Sequence, residues 1–221
     1  MTLEFKKRLT TSFFLILLLI LMINYSFILI ISMIVIAMIT WVEFYALISK
    51  IIIFDNLKGK SLRFFYKMSF LIYIFSLVFF ILFIHSNKSE LEIFIIYSIL
   101  VSILSDIGGL IIGKKFKGKK LTKISPNKTI SGALGSFIFS LFLIPFFFQN
   151  YLNHTLLLLI IITIIISIIS QIGDIGISFL KRKAKVKDTS DLLPGHGGFL
   201  DRIDGIIFSI PIGFMLLNYF N

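Results

Sequence analysis

Apolar runs long enough to cross a bilayer recur along the whole chain, and this feature limits its fold more than any other. A membrane-spanning helix needs about 20 mostly apolar residues, and helices suit a bilayer because they satisfy their own backbone hydrogen bonds. The run 156–169 shows no alternation of polar and apolar residues, which disfavours strands. The sequence therefore predicts an all-α polytopic membrane protein. About seven transmembrane helices are expected, at residues 9–24, 27–49, 68–84, 93–113, 130–148, 156–180 and 205–220.

The basic residues fall on one side of these predicted spans. Of the 22 Lys and Arg residues, all except Lys88 lie in the amino terminus or in the second, fourth and sixth connecting regions. Basic loops of membrane proteins face the cytoplasm, so these regions are predicted to be cytoplasmic and the carboxyl terminus external. The net charge of +11 then forms a single basic face. In the amino terminus and at Lys58–Lys67, orientation and attraction to anionic lipid are enough to explain the charge.

The stretch from Ser178 to Asp204 combines basic and acidic residues beside a long apolar run. Its glycine-rich turn, Pro194 to Gly198, contains His196, and glycines there let a backbone turn tightly and approach a ligand. The chain has no cysteine and its three histidines are scattered, so aspartates and a hard cation such as Mg²⁺ are expected rather than zinc. The charged residues of this stretch are Lys181, Arg182, Lys183, Lys185, Lys187, Asp188, Asp191, Asp201, Arg202 and Asp204.

Two aspartates lie within predicted spans, where an ionised carboxylate costs about 2.5–3.5 kcal/mol on insertion scales. For Asp106, a functional role and a structural pairing with a boundary lysine are equally consistent with the sequence. For Asp174 a functional role is favoured, because Asp174, Ser178 and Lys181 share one face of a continuing helix. Glu43 is interpreted as a helix-packing or boundary residue.

The segment Gly108 to Lys114 resembles a phosphate-binding loop, but this interpretation is rejected. The motif needs Ser or Thr after its lysine, where this chain has Lys115, and it follows a strand rather than a membrane span. The spacing of Gly109 and Gly113 instead predicts close helix packing.

The pattern S-x-x-K-R-x-x-x-x-K-D-x-x-x-x-x-P-G-H-G-G-x-x-D-R-x-D, from Ser178 to Asp204, resembles the signature of the phosphatidate cytidylyltransferase (CDP-diacylglycerol synthase) family. The resemblance covers most of the chain and is strongest after Ser105. Other stretches that resemble the family are Phe5–Arg8, Asp106 with Gly113, Ser125–Thr129 followed by Gly132 and Gly135, and Gly173-Asp174.

The chain also departs from the family pattern at two acidic positions. Ile177 and Ser131 stand where the family commonly has Glu. This leaves open a reduced activity or an altered substrate. A non-catalytic membrane lipid-binding relative and a CTP-dependent polyprenol or dolichol kinase remain as alternatives.

The resemblance implies one integral-membrane cytidylyltransferase domain over 1–221, with amino-terminal spans at 1–92 and a catalytic half at 93–221. It implies that CTP and phosphatidic acid react to CDP-diacylglycerol and pyrophosphate at the cytoplasmic face of the plasma (inner) membrane. Membrane lipids are expected partners and nucleic acid is not; a homodimer and a second cation besides Mg²⁺ stay open.

The same resemblance assigns roles to individual residues. Asp174 and Asp201 are the expected metal ligands. The catalytic set is Asp174, Lys181, Arg182, Asp201 and Arg202. The expected substrate-binding residues are Asp106, Ser125, Lys128, Thr129, Ser178, Lys187, Asp188, His196 and Asp204.

Overall fold

The fold is helical throughout the described part of the chain, as predicted. The computed structural model describes residues 3–53, 56–122, 125, 128–148, 152, 155–195 and 197–220, without the side chains of residues 3–9 and 12. The side chains of Phe5–Arg8 and the whole of His196 therefore lie outside the described residues. No strand occurs within these ranges, and the helices are α1 (Leu3–Asn24), α2 (Ser26–Ile51), α3 (Leu57–Asn87), α4 (Glu92–Phe116), α5 (Ile130–Leu141), α6 (Ile144–Phe147), α7 (Leu156–Lys183), α8 (Leu200–Ile203) and α9 (Ile206–Tyr219).

Five helical segments within the described residues are long and apolar enough to cross a membrane. They are Ser26–Ile51, Leu57–Asn87, Ser89–Phe116, Ile130–Phe147 and Leu156–Lys183. The first and last predicted spans correspond to a shorter apolar helix, Phe13–Asn24, and to the 14 residues of α9. The structure therefore supports a membrane protein with five full-length candidate spans.

Helix α3 begins well before the predicted span at residue 68. Residues 50–67 connect the second and third predicted spans and were therefore expected to lie outside helices, but the chain is helical from Leu57 onward. The side chain of Asn56 accepts a hydrogen bond from Gly59 N at 2.8 Å, which satisfies a free amide of the first turn. Leu, Lys and Arg favour helix, so basic character alone does not end one.

The chain divides into two compact units. The first comprises Met1–Leu82 with Leu180–Arg202, and the second comprises Phe83–Phe179 with Ile203–Asn221. In the first unit, α2 packs on α3 through the stacked rings of Phe44 and Phe70, whose centroids lie 3.8 Å apart. The ammonium of the buried Lys67 lies 3.3 Å from the centre of the Tyr45 ring.

In the second unit, small residues let α4 and α5 approach closely. A Cβ on Gly109 would lie 2.7 Å from Ser136 Oγ, and one on Gly113 would lie 3.1 Å from Thr129 Oγ1. The close helix packing predicted from the spacing of these glycines is confirmed, and the segment is helix rather than a phosphate loop. A Cβ on Gly135 would overlap Ile112 Cβ and lie 2.7 Å from Gly108 O.

Paired hydroxyls join the helices inside this second unit. Tyr97 and Thr163 lie 2.5 Å apart through their oxygens, Ser102 and Ser209 2.9 Å, and Ser105 and Ser167 2.9 Å. The serines and threonine of these pairs are fully buried. Each such pair contributes about 0.6 kcal/mol between helices in a membrane, while fixing which faces meet.

We expect Gly135→Ala to destabilise the second unit, because the new methyl group has no room between α4 and α5. Overpacking of this kind costs about 1–3 kcal/mol. Gly176→Ala is the matched control, because a Cβ there meets nothing within 4 Å and alanine favours helix. Thermal unfolding of detergent-solubilised protein measures both. Equal melting temperatures for the two variants would contradict the packing described for Gly135.

Candidate functional site

The charged loop between α7 and α8 folds back on itself within the first unit. Val186 N donates to Lys181 O at 3.0 Å, which ends α7, and Leu193 N donates to Gly197 O at 2.9 Å. Gly195 and Gly197 have φ values of 79° and 81°, a left-handed conformation that glycine adopts without strain. The glycine turn expected from the sequence is confirmed on both sides of His196.

Asp201 is the acceptor around which this loop closes. Its Oδ1 lies 2.6 Å from Lys181 Nζ, and the side chains of Asp201 and Lys181 are only 5% and 13% exposed. Its Oδ2 accepts from Thr189 N at 2.8 Å and Gly198 N at 3.0 Å, and it lies 3.0 Å from Thr189 Oγ1, whose one proton it shares with Glu43 Oε2. One carboxylate thus ties the end of α7, the middle of the loop and the start of α8 together.

These donors set the protonation behaviour of Asp201. Burial alone would raise the pKa of the Asp201 carboxyl, but the hydrogen bonds from Lys181, Thr189 and Gly198 and the Lys181 charge outweigh burial and lower it below the usual aspartate range. The carboxylate form of Asp201 is therefore favoured by folding.

A second carboxylate, Glu43 of α2, reaches the same loop. It is 2% exposed, and it accepts hydrogen bonds from Thr189, Ser190 and the amides of Phe199 and Leu200. The interpretation of Glu43 as a packing or boundary residue is therefore wrong. Its partners lie 146–157 positions away, so no local pattern announces them. The only sequence signal was a single acid inside a long apolar run, which by default indicates function.

In the second unit, Asp174 of α7 pairs with Lys128 and accepts from Ser178 Oγ at 3.3 Å. The side chains of Lys128 and Asp174 are 23% and 26% exposed. The shared helical face of Asp174 and Ser178 was expected from the sequence, whereas the pairing of Asp174 with Lys128 was not. This pairing also matches the structural alternative for an intramembrane aspartate, a carboxylate bound by a boundary lysine.

Lys128 is held by the turn that begins α5. Thr129 caps this helix, because its Oγ1 accepts from Gly132 N at 3.1 Å. Lys128 N donates to Ser125 O at 3.0 Å, and Ser131 Oγ donates to Lys117 O. Serine at position 131, where the family commonly has Glu, is therefore part of the turn.

The remaining predicted residues are distributed over both units. Asp204 is 5% exposed, and its Oδ1 accepts from Gly205 N at 3.0 Å. Gly173 packs against the same place, since a Cβ on it would lie 2.6 Å from Asp204 O. Asp106 is exposed on α4, and Arg182, Lys187, Asp188 and Arg202 are exposed in or beside the loop.

The aspartates fit a magnesium ion in chemistry, although the described residues contain no group of three or more metal-binding side chains. Mg²⁺ commonly binds one or two carboxylates and completes its coordination with substrate phosphates and water. Asp174 is partly exposed and already binds an ammonium. Asp201 Oδ1 accepts Lys181 alone among its described contacts, which leaves it a lone pair. Asp174, in the second unit, and Asp201, in the first, thus each have the donor chemistry of a magnesium ligand.

Comparison with known proteins bears on the whole chain. The model of the cytidylyltransferase family matches residues 2–220. The chain belongs to the cytidylyltransferase family. The resemblance predicted from Ser178–Asp204 is confirmed at this level.

Individual relatives of this family member carry a more specific name. The chain is 38% identical over 139 residues to a phosphatidate cytidylyltransferase of Staphylococcus haemolyticus, covering 62% of this chain and 53% of the relative. It is 37% identical over 139 residues to that of Staphylococcus aureus, with the same coverage, and 38% identical over 132 residues to that of Bacillus subtilis, covering 58% and 48%. The chain thus spans about half the length of the curated relatives it matches.

The lowered pKa of Asp201 predicts how this family member responds to acid. A carboxyl whose pKa is depressed by folding stabilises the protein above its unfolded pKa, and this contribution is lost as the pH falls through the folded value. We expect Asp201→Asn to melt several degrees below the wild type at pH 7. The gap should begin to narrow below about pH 4, where an unfolded aspartate takes up its proton, and should close only as the pH falls through the lower pKa of the folded protein.

Melting temperatures in detergent from pH 7 downward provide the measurement. Asp191→Asn, at an exposed position of the same loop, is the control and should follow the wild type. A gap between Asp201→Asn and the wild type that does not change with pH would mean that the charge of Asp201 is not what stabilises the loop.

Proposed function

We propose that this chain is a phosphatidate cytidylyltransferase, which converts CTP and phosphatidic acid to CDP-diacylglycerol and pyrophosphate. The observation that carries the proposal is the buried Lys181–Asp201 pair, held inside a loop that matches the family signature. The names of the relatives and the long apolar helices support the same conclusion.

The reaction asks for charge stabilisation rather than for covalent catalysis by the protein. An oxygen of the lipid phosphate attacks the α-phosphorus of CTP, a new P–O bond forms, and the bond to the β-phosphate breaks to release pyrophosphate. Both substrates are anionic, so their approach is unfavourable unless positive groups are held ready for them. Lys181, Arg182, Lys187 and Arg202 are the proposed phosphate-binding groups of the loop.

The turn before α5 supplies a second set of phosphate ligands in this proposal. Ser125, Lys128 and Thr129 come from this turn, and the ammonium of Lys128 is oriented by Asp174. Asp188 and Asp204 orient basic residues, and Asp106, Ser178 and His196 contact substrate. Mg²⁺ held by Asp174 and Asp201 would supply positive charge that offsets the repulsion between the two substrates.

The membrane arrangement belongs to the same proposal. Seven spans with the loop on the cytoplasmic side of the inner membrane would put every basic cluster on one face. The amino-terminal helix and α9 are the two short members of this set. Lipid phosphates lie at the level of such a basic face, so phosphatidic acid could reach the loop without leaving the bilayer.

The test of the function uses detergent-solubilised protein with labelled CTP and phosphatidic acid. We expect lipid-bound cytidine in the presence of Mg²⁺ or Mn²⁺, loss of product in excess EDTA, and recovery when the metal is added back. Product formed at the full rate in excess chelator would assign the aspartates another role. Transfer of phosphate from CTP to a polyprenol, without cytidine in the lipid, would favour the kinase alternative instead.

Removing either proposed metal ligand should nearly abolish turnover. Asp174→Asn and Asp201→Asn keep the side-chain shape but remove the charge, and we expect a loss of about 100-fold or more for each, as for other groups that stabilise transition-state charge. The double variant should be little worse than either single one, because residues that act as a unit are non-additive.

Turnover measured against Mg²⁺ concentration distinguishes one metal ion shared by Asp174 and Asp201 from two independent roles of these residues. Asp191→Asn serves as the control and should keep normal turnover, and membrane insertion is checked for each variant. Near-normal turnover in both single variants, or losses that multiply in the double variant, would remove the idea of a shared metal.

A further inference from the structure

Glu43 is a buried acid that the proposed reaction does not use. It lies on α2, in the amino-terminal part of the chain, and is 2% exposed. Its described contacts are all with neutral donors of the loop. An ionised carboxylate held in this way would be costly if its lone pairs were not filled by hydrogen bonds. Glu43 can therefore be buried only because these donors fill its lone pairs, and the donors in turn lose their acceptor if Glu43 is replaced.

Each of the two oxygens of Glu43 accepts a hydrogen bond from one hydroxyl and one backbone amide. Oε1 accepts from Ser190 Oγ at 2.5 Å and from Phe199 N at 2.9 Å. Oε2 accepts from Thr189 Oγ1 at 2.9 Å and from Leu200 N at 2.7 Å. Each oxygen therefore joins one hydroxyl of Thr189 or Ser190 to one backbone amide of Phe199 or Leu200. A carboxylate can accept all four hydrogen bonds, whereas the amide of glutamine would present its own donors to one of these pairs.

The packing around Gly198 is a second observation that the loop backbone is held close to Glu43. A Cβ on Gly198 would overlap Thr189 Oγ1 and would lie 2.7 and 2.9 Å from the two carboxylate oxygens of Glu43. The loop backbone can approach Glu43 this closely because position 198 carries no side chain. The glycine and the carboxylate therefore belong to one arrangement.

Thr189 connects Glu43 to Asp201. Its hydroxyl lies 2.9 Å from Glu43 Oε2 and 3.0 Å from Asp201 Oδ2, and its amide donates to Asp201 as well. The position of Thr189 is thus fixed from both sides. Asp201 in turn holds the ammonium of Lys181 at 2.6 Å. A shift of the loop away from Glu43 would move Thr189 and release one side of Asp201.

We infer that Glu43 is a positioning residue, which holds the loop 189–200 so that Asp201 and Lys181 are in place for the nucleotide phosphates. The catalytic part of this inference rests on the proposed function, whereas the restraint of the loop does not. Without Glu43 the loop occupies its binding-competent conformation for a smaller fraction of the time. The apparent affinity for CTP then falls by that fraction, while saturating CTP restores the rate.

Hydrogen exchange on the full-length, detergent-solubilised protein tests the restraint directly. In Glu43→Gln we expect the amides of Phe199 and Leu200 to exchange about tenfold faster or more, the change that loss of a hydrogen bond to a charged group gives. Glu43→Asp keeps the charge on a shorter side chain and should show a smaller increase. Unchanged exchange at both amides in Glu43→Gln would overturn the inference.

Thr40→Val is the matched control on the same helix. Thr40 is fully buried one turn before Glu43, and its hydroxyl donates to Ile36 O of α2 itself at 2.7 Å. This variant should exchange like the wild type at Phe199 and Leu200. If Glu43→Gln does not fold, Ser190→Ala is measured instead. This variant removes one donor to Glu43 Oε1 and leaves the carboxylate in place. Slow exchange at Phe199 in Ser190→Ala, equal to that of the wild type, would then count against the inference.

A CTP titration of cytidylyl transfer separates positioning from general damage. Positioning predicts a raised KM for CTP with kcat kept in Glu43→Gln, and partial rescue in Glu43→Asp. Damage to folding lowers kcat per mole of protein with KM unchanged, and that result would overturn the positioning role. If the wild type transfers no cytidine, the proposed function fails, and the exchange rates at Phe199 and Leu200 still decide whether Glu43 restrains the loop.

Discussion

A buried polar group inside a bilayer can be satisfied only by partners within the chain, because a hydrocarbon environment offers none. The most demanding case is the carboxylate of Glu43, which four donors from the loop 189–200 satisfy. Asp201 is nearly as buried and is filled by Lys181, Thr189 and Gly198. The fold of the charged loop follows from these two requirements more than from any packing of its own side chains.

The two carboxylates differ in what they bind. The described partners of Glu43 are neutral, so its hydrogen bonds form a fixed frame. Asp201 binds an ammonium as well, and its lowered pKa shows that the charged form is preferred in the folded protein. In our proposal the first carboxylate shapes the loop, and the second holds the positive groups that meet the substrate phosphates. Thr189 lies between them and transmits the position of one to the other.

Much of this arrangement could be predicted from the sequence. Apolar run length indicated the helices, the glycines indicated the turn, and the signature held both Lys181 and Asp201, although their ion pair was not predicted. The helical start of α3 was missed, because the charges and Gly59 of this segment suggested a connection, whereas the Asn56 cap and residues of high helix propensity let the helix begin there. The role of Glu43 was missed because its partners are distant in sequence, and hydrogen bonds to backbone amides leave no trace in residue identity.

The hydroxyl pair of Ser102 and Ser209 has a consequence for how the sequence can change. Both side chains are fully buried and 2.9 Å apart, and either oxygen can be the donor. Ser209 Oγ also donates to Ile206 O at 3.1 Å, so replacing Ser102 by alanine leaves Ser209 with a partner. Replacing Ser209 first removes the one described side-chain partner of Ser102 in this pair, and an unsatisfied buried hydroxyl is costly. The order of substitution therefore matters, and Ser102 should be lost before or together with Ser209 as related sequences diverge.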